Sequence, residues 1–490
     1  MNKISLIAAF FLGILPASAL ELNVQPGQLA GSVGSEAAAA TSLTLSGSVD
    51  ASDLFYISSA MPELRSLDMG SCAISAYNGA AINGVNTFPA NTIPAGVFAG
   101  TGIEELVLPK EGRLDIGEFA FAGSGIRSLV LPAGTQELGA GAFSSCPQLV
   151  KVVFNGNVSS GGYVFKSCPA LYEVDLSGVT VLNGAEFADC VSLEVLTNTS
   201  ALTVIGHEAF EGCENLHNFS FGTSLKSIGD EAFAGSGLQH VDLFDCKSLS
   251  SVGSWAFAKN PVLESVRFPV SLQSIGEGVF FECSALKTLN IPENCTVIPA
   301  YAFKSAALPS SLVIPEGVRE IANHSMLKSG VSELTIPASL ERIGDNAMED
   351  MSSLQTIQAS EVTGVPELGQ DVWKGINAAS VTLNVNKDYE EDYKAASQWQ
   401  DFHIIGVATL VNPIDTPERY LRGHIEGDDL VIVSSEDIEE VKVYTILGVL
   451  VAEARPDAVD CRIDLSRSNA PYLIIYCKTG TGTGTLKLAR

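Results

Sequence analysis

Positive charge is scarce in this sequence. Lys and Arg number 28 against 56 Asp and Glu, a formal net charge of −28 over 490 residues. So negative a chain repels phosphate backbones and anionic headgroups, which excludes nucleic-acid or lipid binding through its net field. Long apolar runs are also missing: after residue 19 none approaches the ~20 residues of a spanning helix. No two Cys are spaced C-x-x-C, so zinc has little to bind. The six His are His207, His217, His240, His324, His403 and His424, and none belongs to H-E-x-x-H; His207-Glu208 is followed by Ala209-Phe210. No G-x-S-x-G, Walker-type or dinucleotide fingerprint falls in a strand–turn–helix context. The expectation is a protein that is not an enzyme and takes no cofactor or metal. Global disorder is excluded too, because 46% of residues are apolar and only 17% charged.

What is present begins with a leader. Lys3, the mostly apolar stretch Ile4 to Leu15, Pro16 and Ala17-Ser18-Ala19 have the charge, length and small-residue end of a secretory signal. Cleavage after Ala19 would leave a mature chain starting Leu20-Glu21.

Most of the remaining chain is one repeat. IGEGVF at 275–280 recurs as IGEFAF, LGAGAF, IGHEAF, IGDEAF and VGSWAF. Its last position is Phe98, Phe121, Phe143, Phe165, Phe187, Phe210, Phe233, Phe257, Phe280 and Phe303, then Met326 and Met348, at spacings of 22 to 24. Five or six residues later comes L-x-x-L-x-L or a close variant, as in Ile126 to Leu131 and Leu286 to Ile291, whose end alternates as a strand does. Pro109, Pro132, Pro269, Pro292, Pro315 and Pro337 directly follow such strands and end them. Gly stands four residues before the Phe or Met in eight of the twelve repeats, which predicts a special backbone conformation or a close approach. A unit this short cannot bury its own Leu and Phe, so it must stack on its neighbours. Three residues after the Phe or Met, Thr101, Ser124, Cys146, Cys168, Cys190, Cys213, Ser236, Asn260, Cys283, Ala306, Ser329 and Met351 form a second column. A secreted chain admits disulfides there, but Ser, Thr and Ala at the same place favour a row of small buried side chains, the Cys as thiols.

The pattern IGxxAFxxCxxLxxVxLP resembles the BspA-like leucine-rich repeat family of bacterial surfaces, closely over 85–360. The flanks resemble that family's terminal units. Leu43-Thr-Leu45, Asp53-Leu54 and Leu64 to Met69 read as strand, short helix and first degenerate coil; Val381 to Val385 precedes the aromatics Tyr389, Tyr393, Trp399 and Phe402. The period disappears after Gly406, and 430–433, 441–446, 461–465 and 472–477 read as alternating strands of a small β-sandwich. VKVYTILGVLV, IDLS, PYLIIY and a final Lys-bearing strand are similar to the sorting domain of type IX secretion cargo. GTGTGT at 480–485 reads as a flexible turn, not a phosphate loop. The expected fold is a leucine-rich repeat solenoid, an α/β-type array with one long parallel sheet, followed by a small all-β sandwich. Expected divisions are 1–19 leader, 20–84 N-terminal cap and degenerate repeat, 85–360 repeats, 361–408 C-terminal cap and 409–490 sandwich.

Function then rests on surface. Residues flanking the second hydrophobe of L-x-x-L-x-L point away from the core and form a grid. From it Glu173, Asp175, Asn218, His240, Asp242, Arg267 and Asn290 are the candidate partner-binding residues. The resemblance implies adhesion to protein or glycan ligands on host, matrix or neighbouring cells, by a protein secreted or held on the surface of a Gram-negative bacterium. A glycan-handling accessory or structural spacer is the alternative, although the grid holds no aromatic side chain for sugars to stack on.

Overall fold

The computed structural model describes residues 18–407 and, towards the C-terminus, 421–426, 429–445, 450–456, 458–466, 468, 470, 472–479 and 482–489. Leader residues 1–17 and the Pro-bearing linker 412–417 lie outside them. The chain divides between Gly406 and Val407 into two compact units.

The first unit is a stack of coils, each presenting three sides. One side is the predicted strand: Glu105–Val107, Ser128–Val130, Lys151–Val153 and Glu173–Asp175 pair in parallel, register to register. A second side is another parallel ladder of short strands, such as Val204–Ile205, Ser227–Ile228 and Ser251–Val252. The third side is a double turn around the Phe. Its amides also bond along the stack: Gly96 N–H to Glu118 O at 2.9 Å, Phe98 N–H to Ala120 O at 2.8 Å and Gly100 N–H to Ala122 O at 2.8 Å. No repeat holds an α-helix among the described residues, so the α/β-type expectation gives way to an all-β coil. The double turn explains this. Residues two before and two after each ladder ring are left-handed, as at Glu208 and Gly212 around Phe210, which interrupts any helix.

The ladder itself is as expected. Every ladder Phe from Phe98 to Phe303 is buried, with successive ring centroids 5.1–6.0 Å apart. It gains a thirteenth member that the spacing concealed. Trp373, 25 residues after Met348, ends the variant LGQDVW and is equally buried. The recurrent Gly marks close approach. A Cβ on Gly139 would lie 2.4 Å from Glu118 N, and one on Gly276 2.3 Å from Gly253 C of the preceding coil. All ten Cys are free thiols. In the second column Cys146, Cys168, Cys190, Cys213 and Cys283 each donate to the carbonyl of a ladder Phe one coil back, at 3.1–3.3 Å. Asn260 does the same from its amide, to Phe233 O at 2.8 Å. The column is therefore a row of small buried donors. Burial raises the Cys213 pKa and pushes that of Cys283 from 9.0 up to about 12, which makes both unreactive.

The single long sheet is a correction. The strand side forms three hydrogen-bonded segments, broken between Val195–Thr197 and His240–Asp242 and again before Ser311–Val313. At the first break Phe219 stands where the other repeats have Leu, Val or Ile, and Phe221 follows at a place that Phe154 and Phe268 also fill. Phe219 packs edge-on against Phe210 and Phe233 at 5.4 and 5.1 Å, and Phe221 reaches Phe233 at 5.7 Å. The ring of Phe219 is larger than the branched aliphatics it replaces and fits only with the backbone moved off pairing distance. Side chains then take over the bonding: Thr199 Oγ1 donates to Ser220 O at 2.6 Å, and His217 Nδ1 lies 3.1 Å from Gly237 O. At the second break Pro309, which has no N–H, stands two residues before the strand.

Before the array, Ser18–Val24, Ala40–Val49 and Ser66–Ile74 extend the first sheet in parallel. Helix Ala51–Ala60 is held by a capping box: Asp50 accepts from Ser52 and Asp53 N–H, and Asp53 accepts from Asp50 N–H. After the array, Thr382–Asn386 joins the last sheet segment, and helix Glu390–Ala395 leads into an aromatic cluster. There Trp399 lies 5.1 Å from Trp373 and 5.3 Å from Tyr393 and donates to Pro366 O at 3.1 Å.

Among its described residues the second unit is small and all-β, with six strands in one antiparallel sheet. Its two halves share the 17-residue strand Asp429–Thr445. The first half of that strand pairs with Leu421–Glu426 and Ala458–Asp464, and the second with Leu450–Ala454 and Tyr472–Thr479. Leu430, Ile432, Val441, Val443, Leu473 and Ile475 make its core. Gly482–Ala489 is a strand paired antiparallel with Tyr472–Thr479, so the part of GTGTGT from Gly482 onward is strand and not turn; its start lies outside the described residues.

Candidate functional site

The sheet side of the coils positions the candidate residues, and it separates them into groups. Glu173 and Asp175 lie on one strand of the first segment. Lys151 Nζ is 2.8 Å from Glu173. Asp175 accepts from Ser177 N–H, Ser177 Oγ and, at 2.7 Å, Asn198 Nδ2. Burial works to raise the Asp175 pKa, but these hydrogen bonds and nearby Lys151 outweigh it and hold the carboxyl below its ordinary value. Asp175 thus anchors its own turn and that of the next coil.

His240, Asp242 and Arg267 form the second group, on adjacent strands with His240 opposite Ser265 and Asp242 opposite Arg267. His240 Nδ1 is 2.9 Å from Ser265 Oγ, and Arg267 reaches Asp242 at 3.4 Å. The Arg267 guanidinium also lies 4.1 Å from the centroid of Phe244, a ring 46% exposed. Asn218 is exposed at the first break in the sheet, outside any strand. Asn290 spends its amide on the neighbouring coil, accepting from Phe268 N–H at 2.7 Å and donating to Phe268 O at 3.1 Å. The seven residues therefore do not converge on one site.

Two features escape a reading that favours polar residues. Val107, Val130 and Val153 fall in one outward column beside Pro132. With Lys110 and Asn155 nearby, Val107 and Val130 line a shallow hollow of about 480 Å³. The signal was their shared place in the repeat. Phe244 stands where other coils have the strand-ending Pro, such as Pro269 one coil on, so its type breaks the pattern. Among the described residues no cluster of three or more His, Cys, Asp or Glu could hold a metal ion, and no helix is long and apolar enough to cross a membrane. The face offers in-register side chains for contact over several coils, with mixed charge and one apolar patch.

Comparison with known proteins follows the coils closely. Residues 91–217, 180–309 and 289–400 match the BspA type leucine rich repeat region, in six copies, so well over half of the chain is matched. Among solved structures, the chain is similar to a leucine-rich repeat protein from Bacteroides ovatus, at 18% identity over 83% of this chain and 99% of that one, with a TM-score of 0.49. A leucine rich cell surface protein from Faecalibacterium prausnitzii matches at 19% identity over 58% and 86%, TM-score 0.29. The pneumococcal vaccine antigen PcpA matches at 14% over 80% and 84%, TM-score 0.28. No curated protein matches the chain. A repeat period, a buried aromatic ladder and a matched region that coincide along the same coils place this chain in the BspA-type leucine-rich repeat family.

Proposed function

We propose that this protein is an adhesion or macromolecular-binding protein of the bacterial surface and that its solenoid sheet side is the contact face. The observation that carries the reading is the exposed group Asp242, Phe244 and Arg267, a paired charge stacked on an exposed ring. Stacked Arg and aromatic side chains are typical anchors of protein interfaces. The valine column around Val130 supplies a second, apolar contact on the same side. A panel of purified extracellular-matrix and bacterial surface proteins, offered to the full-length chain, tests this. Arg267→Glu should abolish capture of whichever protein binds. Its thermal midpoint should stay put, since exposed substitutions shift stability by only about ±0.5 kcal/mol. Capture unaffected by Arg267→Glu would move the site off this face. Asp175 makes a poor probe, because removing its carboxylate also undoes two turns.

The second unit, in this reading, is a sorting domain of the type IX kind that carries the solenoid across the outer membrane of a Gram-negative cell. Its support is the motif series VKVYTILGVLV, IDLS and PYLIIY together with a core of its own. Deleting 418–490 should leave the solenoid melting as in the full-length protein but stranded in the periplasm. Export of the truncated chain at the parental level would refute the assignment.

A further inference from the structure

Two ladders and a turn side join neighbouring coils, and where one ladder stops the other usually carries on. The first break of the strand side, between Val195–Thr197 and His240–Asp242, is spanned by the short ladder, in which Val181–Leu182, Val204–Ile205 and Ser227–Ile228 pair in turn. The short ladder's own first break, between Ser159–Ser160 and Val181–Leu182, is spanned by Glu173–Asp175 paired with Val195–Thr197. Between the coils of Phe280 and Phe303 both ladders stop together. Ser274–Ile275 does not pair with Val297–Ile298, nor Thr288–Leu289 with Ser311–Val313.

Proline and packing mark the same junction. Pro299 directly follows Val297–Ile298, at the place where Gly253 and Ala322 donate N–H to Ile228 O and Ile298 O of the preceding coil, both at 2.9 Å. Having no N–H, it cannot do the same to Ile275 O. On the strand side Pro309 takes the place at which buried Leu263 and Leu286 anchor their coils. Leu289, the inward residue of its strand, is only half-buried, whereas Leu129, Val152, Val174 and Val266 at that place are fully buried. Phe280 and Phe303 lie 6.0 Å apart, against 5.1 Å for Phe98 and Phe121. The turn side, in contrast, is tied across the junction. Gly278, Phe280 and Glu282 N–H donate to Ala300, Ala302 and Lys304 O, each at 2.9 Å, and Ala307 N–H donates to Cys283 O at 3.2 Å. Rings clamp these bonds. Trp255 lies against Gly278, where a Cβ would meet its Cε3 at 2.4 Å, and sits 6.2 Å from Tyr301, which stacks on His324 at 5.1 Å. Lys304 Nζ is 5.4 Å from the centroids of both Phe281 and Tyr301.

We propose that this junction is a hinge, with the clamped turn side as its axis and the coils on either side as two rigid arms. A pair of coils held on three sides cannot bend without breaking ladder bonds; this pair has no ladder bond to break on two of them. Opening parts the strand side and the short ladder. It thereby changes the angle between the face that carries Asp242 and Arg267 and the face that begins at Ser311.

Distances between pairs of nitroxide labels, read by double electron–electron resonance on the full-length protein, test this. Gln239→Cys with Gln355→Cys spans the junction over five coils. Arg127→Cys with Gln239→Cys also spans five coils but lacks the double interruption. All three positions are exposed, and the ten native thiols are buried and stay unlabelled. The spread of distances should be about twice as broad for the first pair. Pro299→Ala returns an N–H at a place where Ala322 already donates one, and should narrow that spread towards the second pair's. Equal spreads for the two pairs in the otherwise unaltered protein would overturn the hinge. A broad spread that Pro299→Ala leaves unchanged would overturn its assignment to this junction.

Discussion

Phe210→Ala should destabilise the solenoid by ~3–5 kcal/mol, the range for emptying a fully packed aromatic site. Phe210 stacks between Phe187 at 5.6 Å and Phe233 at 5.3 Å, and Phe219 closes a third side at 5.4 Å. Each neighbour is fixed by its own coil, held to the next by backbone bonds such as Phe210 N–H to Ala232 O at 2.8 Å, so collapse into the void is restricted. Because coils contact mainly their neighbours, the damage should be local. Cys213 and Cys190 flank the site as buried thiols and serve as reporters. Urea denaturation should show the lower stability, and thiol labelling of Cys213 should accelerate well before global unfolding. An unchanged urea midpoint with parental labelling rates would contradict the packing described above.

Glu186 should make the protein lose stability as pH rises from about 4.5 to above 7. It occupies the column just before the ladder ring, where other coils place Ala, Val or, at Ser325, Ser, and is only 2% exposed. Burial pushes its pKa from 4.5 up to about 7, and the hydrogen bond that Ser160 Oγ donates to Oε2 at 2.6 Å recovers only part of the shift. The folded state therefore binds the proton more tightly than the unfolded one. Its stabilising effect is complete below pH ~4.5 and is lost as the folded carboxyl ionises, a total of ~3 kcal/mol for a shift of this size. Many carboxylates titrate in this chain, so the informative quantity is the difference between Glu186→Gln and the parent at each pH. Gln cannot ionise, and the variant should gain on the parent by ~3 kcal/mol between pH 4.5 and pH 8. A difference that does not change with pH would mean that Glu186 is solvated in the folded protein.

The repeat, its ladder and its tight glycines were legible in the residues because a solenoid is nearly one-dimensional. Each coil contacts its neighbours at a fixed sequence offset, so a buried position must recur at that offset, as Phe98 to Phe303 do. Trp373 escaped because its coil is longer and its motif, LGQDVW, shares little more than Gly369 with the others. The all-β character of the second unit was equally legible from alternation, whereas the sharing of Asp429–Thr445 between two halves was not. Surface properties depended on tertiary structure for a different reason. Outward side chains face no packing requirement that repeats, so type alone cannot say which are free. Asn290 reads as a binding residue but is bonded at both amide atoms to the preceding coil, and Asp175 holds two turns. Conversely, Phe119, Tyr163, Trp255 and Tyr301 occupy a position whose left-handed backbone is invisible in sequence until the coil is closed. The sequence by itself determined the period, the core and the class of fold, since burial is enforced at every turn. Only the tertiary structure decided where the sheet breaks, which polar groups are already satisfied and which rings remain exposed, because those outcomes depend on contacts between coils and not on the repeat within one.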